Sequence, residues 1–319
     1  MSALGAVGAP GAAAGGEVAN DRWQPPSWRR LQRGLRALDA RYFQIGFLLS
    51  LLLFGALARD FALTGTQVLL AFTSAALTQA FWQFALKLPQ RRSVQGYLSA
   101  LVTACGISIL VRSDSQWVHP ALACLALSSK FVLRFGAGAA RAHIFNPANL
   151  AAFVVFTGLP HAWLSPGQWG QEALASLWML ALGAAVTGRI SRWGVSCTFL
   201  ATWLGLYAAR LAWLGYASDL ALSMWWHQAM NGATILFAFF MISDPMTTPQ
   251  HAGARCAYTA CVAATAFAWQ FGLFKPQGLI VALFAWSLTV PLWNRVFAAQ
   301  RFAWRSAAHP ASSPPASPG

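Results

Sequence analysis

Apolar stretches long enough to cross a lipid bilayer recur along almost the whole chain, and they constrain its fold more than any other feature. A helix needs about 20 apolar residues to span the hydrocarbon core, and fewer where it is broken or re-entrant. Only 9% of the residues are charged, against roughly a quarter in a water-soluble domain. The sequence therefore predicts an all-α polytopic membrane protein surrounded by lipid. We count ten candidate spans, at 42–58, 63–86, 97–111, 117–133, 147–163, 173–186, 195–214, 220–242, 258–273 and 279–296.

Basic residues are distributed unevenly between alternate connections. With the N-terminus placed inside, the inner connections hold eighteen Lys and Arg residues and the outer ones four: Arg59, Arg112, Arg210 and Lys275. The positive-inside rule then predicts an even number of spans and both termini in the cytoplasm. The net charge of +14 does not indicate a nucleic-acid partner, because the basic residues punctuate apolar stretches instead of clustering on a water-exposed module.

The chain divides into a membrane domain and two polar ends. Residues 1–41 are basic and residues 298–319 are rich in Pro, Ser and Ala, so we expect both segments to be disordered. The third and eighth stretches carry SALVTACGISIL and NGATILFAFFMISD, each with small and hydroxyl-bearing residues at its start. Interrupted segments at matching places in two halves indicate an inverted repeat with a site near the midplane. We therefore expect ten transmembrane helices in two inverted five-helix repeats, at about 42–163 and 173–297.

The first candidate site is the motif HIFNPANLAAF, which enters the fifth stretch. Pro147 removes a backbone donor and restricts Asn146 before it, so a helix is expected to begin here. Asn146 is on one interpretation only the N-cap of this helix. On the other, His143, Asn146 and Asn149 line a binding site. The preceding FGAGAAR loop, with its glycines and arginine, then forms an anion or phosphate site at the helix N-terminus.

The second candidate site is the motif HQAMNGATILFAFFMISDPMTTP. Asp244 is the single acid at the end of a long apolar stretch, and a carboxylate in the membrane is by default a functional hypothesis. The sequence Asp-Pro followed by two threonines also fits a helix end with a capped turn. Gly232 serves either close helix packing or a ligand, and the Thr234 hydroxyl is a candidate partner for a buried polar ligand.

Several kinds of chemistry have no support in the sequence. The P-loop pattern GxxxxGK[ST] and the nucleophile-elbow pattern GxSxG are both absent, which argues against an ATPase and a hydrolase. The five cysteines form no CxxC pair, so neither a metal site nor a disulfide framework is expected. We identify no catalytic residue.

Four motifs together resemble a known family. YLSALVTACGISIL, FNPANLAAF, NGATILFAFFMISDPMTTP and KPQGLIVALFAWSLTVPLWNR are similar, in order and spacing, to the D subunit of the Rnf electron-transport complex. They are also similar to the B subunit of the sodium-translocating NADH:quinone reductase. The resemblance implies ten helices in two inverted repeats, a bacterial inner membrane, partner membrane subunits and electron transfer through flavin (FMN or riboflavin).

This chain departs from the family pattern where flavin is attached covalently. Members with covalent FMN carry a threonine in a D-x-x-[ST]-x-A-T pattern between the fifth and sixth spans, whereas the stretch LPHAWLSPGQWGQ here contains no Thr. We therefore expect any flavin to be bound non-covalently, with His143, Asn146, Asn149, Gly232, Thr234 and Asp244 at or near its pocket. Two alternatives stay open: a small-solute transporter or channel on the same scaffold, and a non-catalytic membrane anchor such as the stand-alone relatives that accompany enediyne biosynthetic genes.

Overall fold

The computed structural model describes residues 39–58, 62–88, 94–136, 141–165 and 173–302. The two segments expected to be disordered fall almost entirely outside these residues. Within them the chain is mainly helical. The helices are α1 Ala40–Ala58, α2 Gly65–Ala85, α3 Val94–Leu110, α4 Val118–Val132, α5 Pro147–Phe156, α6 Ala173–Arg189, α7 Trp193–Trp213, α8 Ser218–Ala229, α9 Gly232–Leu236, α10 Ala252–Phe267, α11 Gly278–Ser287 and α12 Val290–Val296.

Four short strands, which the sequence did not predict, form two small antiparallel pairs. β1 (Val111–Ser113) pairs with β4 (Ala162–Leu164), so the segments that follow α3 and α5 are joined. β2 (Arg134–Phe135) pairs with β3 (Ala142–His143), with Arg134 opposite His143. The second pair closes a hairpin between α4 and α5.

Each of the ten predicted stretches coincides with helix in the described residues, and the α-helical membrane class is confirmed. Three helices are long and apolar enough to cross a bilayer alone, within 40–57, 65–85 and 193–213. A fourth is added if α11 and α12, bent by 49° at their junction, count as one span. Because the remaining apolar helices are shorter, the count of ten spans stays a prediction.

Two predicted stretches differ from the structure in an informative way. The fifth ends as a helix at Phe156, well before 163. The eighth is divided, because α8 ends at Ala229 and a new helix begins at Gly232. α9 continues into a π-helical turn at Phe237–Met241, so that 232–241 forms a short helical unit of its own. A second π-helical turn, Ala268–Gly272, follows α10.

The helices pack in two sets of neighbours. α3 lies against α1 and α2, α2 lies against α4, and α4 lies against α5. In the second half the unit 232–241 lies against α6 and α7, α7 lies against α10, and α10 lies against α11. Contacts of α1 with α6 and of α5 with α11 join the two sets.

Buried apolar side chains form a larger cluster around Phe199, Trp203 and Phe237 and a smaller one around Ile107 and Leu122. Large apolar side chains also point outward from the long helices, as lipid-facing residues do. Examples are Leu53, Leu69, Leu77 and Phe81.

A polar cavity at the start of the fifth helix

The main cavity in the described residues has a volume of about 750 Å³. Pockets for small molecules occupy roughly 300–1,000 Å³ and combine apolar walls with a few polar groups, and this cavity does the same. Its apolar lining includes Leu48, Val102, Ile109, Leu110, Phe239, Phe240 and Met241. Its polar lining includes Arg41, Gln44, Gln79, Gln83, Gln95, Ser99, Thr103, Lys130, Arg134, Arg141, His143, Asn146, Ser243 and Asp244.

Asp244 lies on the cavity wall in the connection that follows the second short helix. The Asn146 side chain, 98 positions away in sequence, donates a hydrogen bond from Nδ2 to Asp244 Oδ2 at 3.2 Å. His143 Nε2 lies 3.9 Å from the same oxygen, and the Met246 backbone N–H donates to Oδ1 at 3.0 Å. The two motifs singled out in the sequence therefore meet at this carboxylate.

The surroundings of Asp244 favour its ionised form. Burial alone would raise the pKa of this carboxyl group, since it disfavours charge. The interaction with His143, the Met246 N–H and the positive charge of Arg192 outweigh burial, and the pKa of Asp244 lies below its ordinary value. The cavity thus presents a carboxylate, and not a proton donor, at neutral pH.

Asn146 is an N-cap and also lines the cavity. Its Oδ1 accepts a hydrogen bond from the Asn149 backbone N–H at 3.1 Å, so it is the N-cap of α5, with Pro147 at the first helical position. Its Nδ2 serves Asp244 at the same time. One amide therefore fixes both the start of the helix and the position of the carboxylate.

Asn149 lies behind the cavity lining. Its Nδ2 donates to the Ile280 carbonyl oxygen at 3.3 Å, which joins α5 to α11. Its buried Oδ1 has no hydrogen-bond partner in the described residues. Asn149 thus acts in helix packing and reaches the site only through Asn146.

Thr234 and Gly232 lie elsewhere, at the start of the second short helix. The Asn231 side chain caps this helix by accepting from the backbone N–H groups of Ala233 and Thr234. Thr234 Oγ1 accepts a hydrogen bond from Gln228 Nε2 at 3.4 Å. Neither Gly232 nor Thr234 is among the residues that line the cavity.

Several polar residues of the cavity were missed in the sequence, including Gln79, Gln83 and Lys130 within the predicted apolar stretches. Gln79 and Gln83 of α2 are almost fully buried, and their Oε1 atoms have no partner in the described residues. Lys130 of α4 donates from Nζ to Ser99 Oγ at 2.8 Å. The signal was present, because polar side chains within apolar stretches are expensive and usually functional.

Gly96 of α3 makes room for the two glutamines. A Cβ atom at this position would lie 1.8 Å from Gln83 Nε2 and 3.2 Å from Gln79 Nε2. The shorter contact is with the end of a flexible side chain, so a Cβ atom here would displace the Gln83 amide from its present place. The glycine therefore allows both amides to lie close to α3.

The hairpin between α4 and α5 brings two arginines to the cavity. Arg134 donates from Nη2 to the Arg141 carbonyl oxygen at 3.3 Å, and both side chains are exposed. Gly136 has a φ of 89°, a left-handed conformation that favours glycine. The rest of the expected glycine-rich anion site, 137–140, lies outside the described residues.

Arg192, in the connection between α6 and α7, holds the segment that contains Asp244. Its guanidinium donates to the carbonyl oxygens of Pro245 and Pro249 and to Gln250 Oε1, at 3.4, 3.5 and 3.1 Å. Burial and the neighbouring Arg255 lower the pKa of Arg192 to about 10, so it remains charged at neutral pH. This arginine clamps the Asp244 connection.

The helices and the site define a multi-pass α-helical membrane protein with a polar, cation-rich cavity. Residues 165–303 match the family model described as NQR2, RnfD, RnfE family. The second half of the chain is therefore similar to that family.

Three curated relatives are similar to this chain. Each is the D subunit of an ion-translocating oxidoreductase complex, from Escherichia coli O1:K1 / APEC, O45:K1 (strain S88 / ExPEC) and strain UTI89 / UPEC. Each is 33% identical over 133 residues, which is 41% of this chain and 32% of the relative. The match therefore spans about a third of the relatives' length.

Proposed function

We propose that the chain is a membrane subunit of an electron-transport complex of the ion-translocating oxidoreductase type and that its cavity binds a flavin non-covalently. The match of residues 165–303 to the family model and the name of the curated relatives support the first part. The observation that carries the second part is the cavity, which combines apolar walls with unpartnered amide oxygens and basic side chains. A bound flavin would supply the redox chemistry, and the protein would supply position and polarity.

The residues of the cavity fit an isoalloxazine ring. Such a ring is planar, has apolar faces and carries hydrogen-bonding groups along its edge. Phe240 lines the cavity and is stacked on Phe47, with ring centroids 4.4 Å apart, which provides a rigid apolar surface. Gln79 and Gln83 line the cavity and have buried Oε1 atoms without a partner in the described residues, and the Asn146 amide is oriented by Asp244.

The positions of the threonines support non-covalent binding. The stretch 159–171 contains no Thr. Thr234 follows a Gly-Ala step that resembles a flavinylation signature, but its side chain is buried and lies outside the cavity lining. We therefore place no covalent attachment at Thr234 or between α5 and α6.

The matched packing of the two halves supports an inverted repeat. We take each half as five spans, counting α8 with the unit 232–241 as one span and α11 with α12 as another. Four contacts within the first half then have a counterpart five spans later: α1–α3, α2–α3, α2–α4 and α4–α5. The two joining contacts, α1–α6 and α5–α11, relate equivalent spans to each other. On this basis we propose ten spans, with both termini in the cytoplasm of a bacterial inner membrane.

A second candidate function is passage of a small solute. Short helices that begin within the protein, at Pro147 and Gly232, are features of transporters whose substrates bind near the midplane. Solute flux into proteoliposomes that requires the residues of the cavity would favour this function. A third possibility is a non-catalytic anchor, which co-purification of stoichiometric soluble proteins would favour.

Absorbance and fluorescence spectra of the detergent-purified protein, before and after acid precipitation, test the proposal. We expect a flavin spectrum and release of the flavin into the acid supernatant. Flavin that stays with the pellet would contradict non-covalent binding. A colourless preparation from flavin-replete cells, with no uptake of added flavin, would contradict the flavin role and favour solute transport.

A further inference from the structure

Positive charge is in excess on one wall of the cavity. In the described residues, Lys130, Arg134 and Arg141 line the cavity and none forms an ion pair with a carboxylate. The two carboxylates near them are engaged elsewhere, because Asp39 pairs with Arg41 at 2.6 Å and Asp244 faces His143 and Asn146. These three cations therefore outnumber the one carboxylate, Asp244, that lines the cavity with them.

Lys130 is the innermost of these cations. Its Nζ donates one hydrogen bond, to Ser99 Oγ, and an ammonium group has three donors. Arg41, Arg134 and Asp244 lie within electrostatic range of it. An anion beside Lys130 would take up the remaining donors of the ammonium group and offset repulsion among the cations.

We propose that Lys130, with Ser99 behind it and Arg134 and Arg141 at the mouth, forms a subsite for a phosphate-type anion. A phosphomonoester suits this arrangement because it has three acceptor oxygens and a charge of nearly −2 at neutral pH. The part of the cavity lined by Gln79, Gln83 and Phe240 then binds the body of the same ligand. The inference rests on the proposed function for one detail, that the body of the ligand is a flavin ring. With a phosphate subsite beside it, the cavity would then prefer FMN to riboflavin.

Riboflavin and FMN differ only by the phosphate, so their relative affinity measures the subsite directly. We would measure quenching of flavin fluorescence by the detergent-purified, flavin-free protein at low and high salt. FMN is expected to bind roughly 10- to 100-fold more tightly than riboflavin, as charge-assisted hydrogen bonds allow. Salt and inorganic phosphate should weaken FMN binding and leave riboflavin binding nearly unchanged.

Substitutions show which residues cause the preference for FMN. Lys130→Met should lower the affinity for FMN roughly tenfold or more, towards that for riboflavin, whereas Lys130→Arg should retain most of the preference. Lys275→Met is the matched control, because Lys275 is exposed and contacts the Trp269 ring away from the cavity. If Lys130→Met fails to fold, Arg134→Gln and Arg141→Gln alter exposed side chains and should each reduce the FMN preference several-fold.

The outcomes separate the subsite from the proposed function. Equal affinities for FMN and riboflavin would overturn the subsite and leave the flavin proposal standing. If neither flavin binds, the flavin proposal fails, and the subsite is tested by inorganic phosphate alone. A rise of the unfolding temperature with phosphate that Lys130→Met abolishes would support it, and no rise would overturn it. Nanodiscs with anionic or neutral lipid show whether a lipid phosphate competes for the same place.

Discussion

At the scale of single residues, the site depends on a few polar side chains that the apolar surroundings hold in one arrangement. Asp244 has three partners: Asn146 and His143 from the segment that leads into α5, and the Met246 N–H from its own connection. A buried charge whose partners are removed is costly. We therefore expect substitutions here to change stability as well as binding.

Asp244→Asn tests the charge of the carboxylate. Because its pKa is lowered in the folded protein, Asp244 adds stability above its unfolded pKa of about 3.9 and loses this contribution as pH falls through the folded pKa. Asp39, whose pKa is lowered by Arg41 against the effect of burial, behaves likewise. Asp244→Asn should cost about 1–3 kcal/mol at pH 7 and reduce the loss of thermal stability between pH 7 and pH 3.

Asp219→Asn is the control for this measurement, since Asp219 is exposed at the start of α8 and its one side-chain contact is to Ser218. An unfolding temperature of Asp244→Asn equal to that of the wild type at every pH would show that the carboxylate contributes no folding energy.

Gly96→Ala tests the close packing of α3 on the amide wall. The new Cβ would overlap Gln83 Nε2, so the Gln83 amide would have to shift, and we expect a cost at the lower end of the roughly 1–3 kcal/mol of overpacking. We expect a lower unfolding temperature and weaker ligand binding. Gly205→Ala, in α7 with nothing within 4 Å of the added Cβ, should be neutral or slightly stabilising because alanine favours helix. Equal behaviour of the two variants would contradict the packing argument.

At the scale of elements, two short helices begin at asparagine caps in the interior of the described region. Asn146 caps α5 and Asn231 caps α9, but only Asn146 also contacts a carboxylate. Aspartate is as good an N-cap as asparagine in general. The two positions therefore form a matched pair for separating capping from site electrostatics.

Asn146→Asp should destabilise the protein, because it places a second carboxylate against Asp244 and removes the amide donor. Asn231→Asp should be nearly neutral, since its oxygen only accepts from backbone N–H groups. Thermal unfolding at pH 7 compares the two, and we expect a difference of about 1–3 kcal/mol. A similar loss of stability in both variants would indicate that the Asn146–Asp244 contact does not stabilise the protein.

Arg192→Lys tests the clamp on the Asp244 connection. A lysine keeps the charge but cannot serve three acceptors with a planar fork. Faster hydrogen exchange is expected across 244–250, together with weaker ligand binding. Arg295→Lys, at an exposed position in α12, should leave exchange in this segment unchanged. Unchanged exchange in Arg192→Lys itself would contradict the clamp.

Helix positions were predictable because lipid imposes a simple rule, that every spanning segment must be apolar. The interruption of the eighth stretch was indicated by the small and hydroxyl-bearing residues NGAT, but its exact position, at the Asn231 cap, was not. For the site, His143, Asn146 and Asp244 come together at the cavity, but the sequence placed Gly232 and Thr234 with them. Gln79, Gln83 and Lys130 were overlooked because each looked like an isolated polar residue until folding brought them to one wall.

At the scale of the whole molecule, the proposed topology places both ends of the chain on the same side of the membrane. Alkaline phosphatase fused after Phe302 should be inactive, because the enzyme needs an oxidising exterior, while a fusion after Lys275 should be active. The reverse pattern would invert the orientation. Activity at both points would show that the segment between them does not cross the membrane.

The π-helical turn at Phe237–Met241 determines how the position of Asp244 responds to the loss of one residue before it. Such a turn accommodates one residue more than an α-helix would, and each residue advances an α-helix by about 100°. Deleting one residue within the turn would therefore leave a regular helix, with Asp244 still directed towards Asn146. The same deletion in a regular α-helical segment would rotate everything that follows by about 100° and carry the carboxylate away from its partner. The π-helical turn is thus where this part of the chain can lose one residue and keep the carboxylate in position.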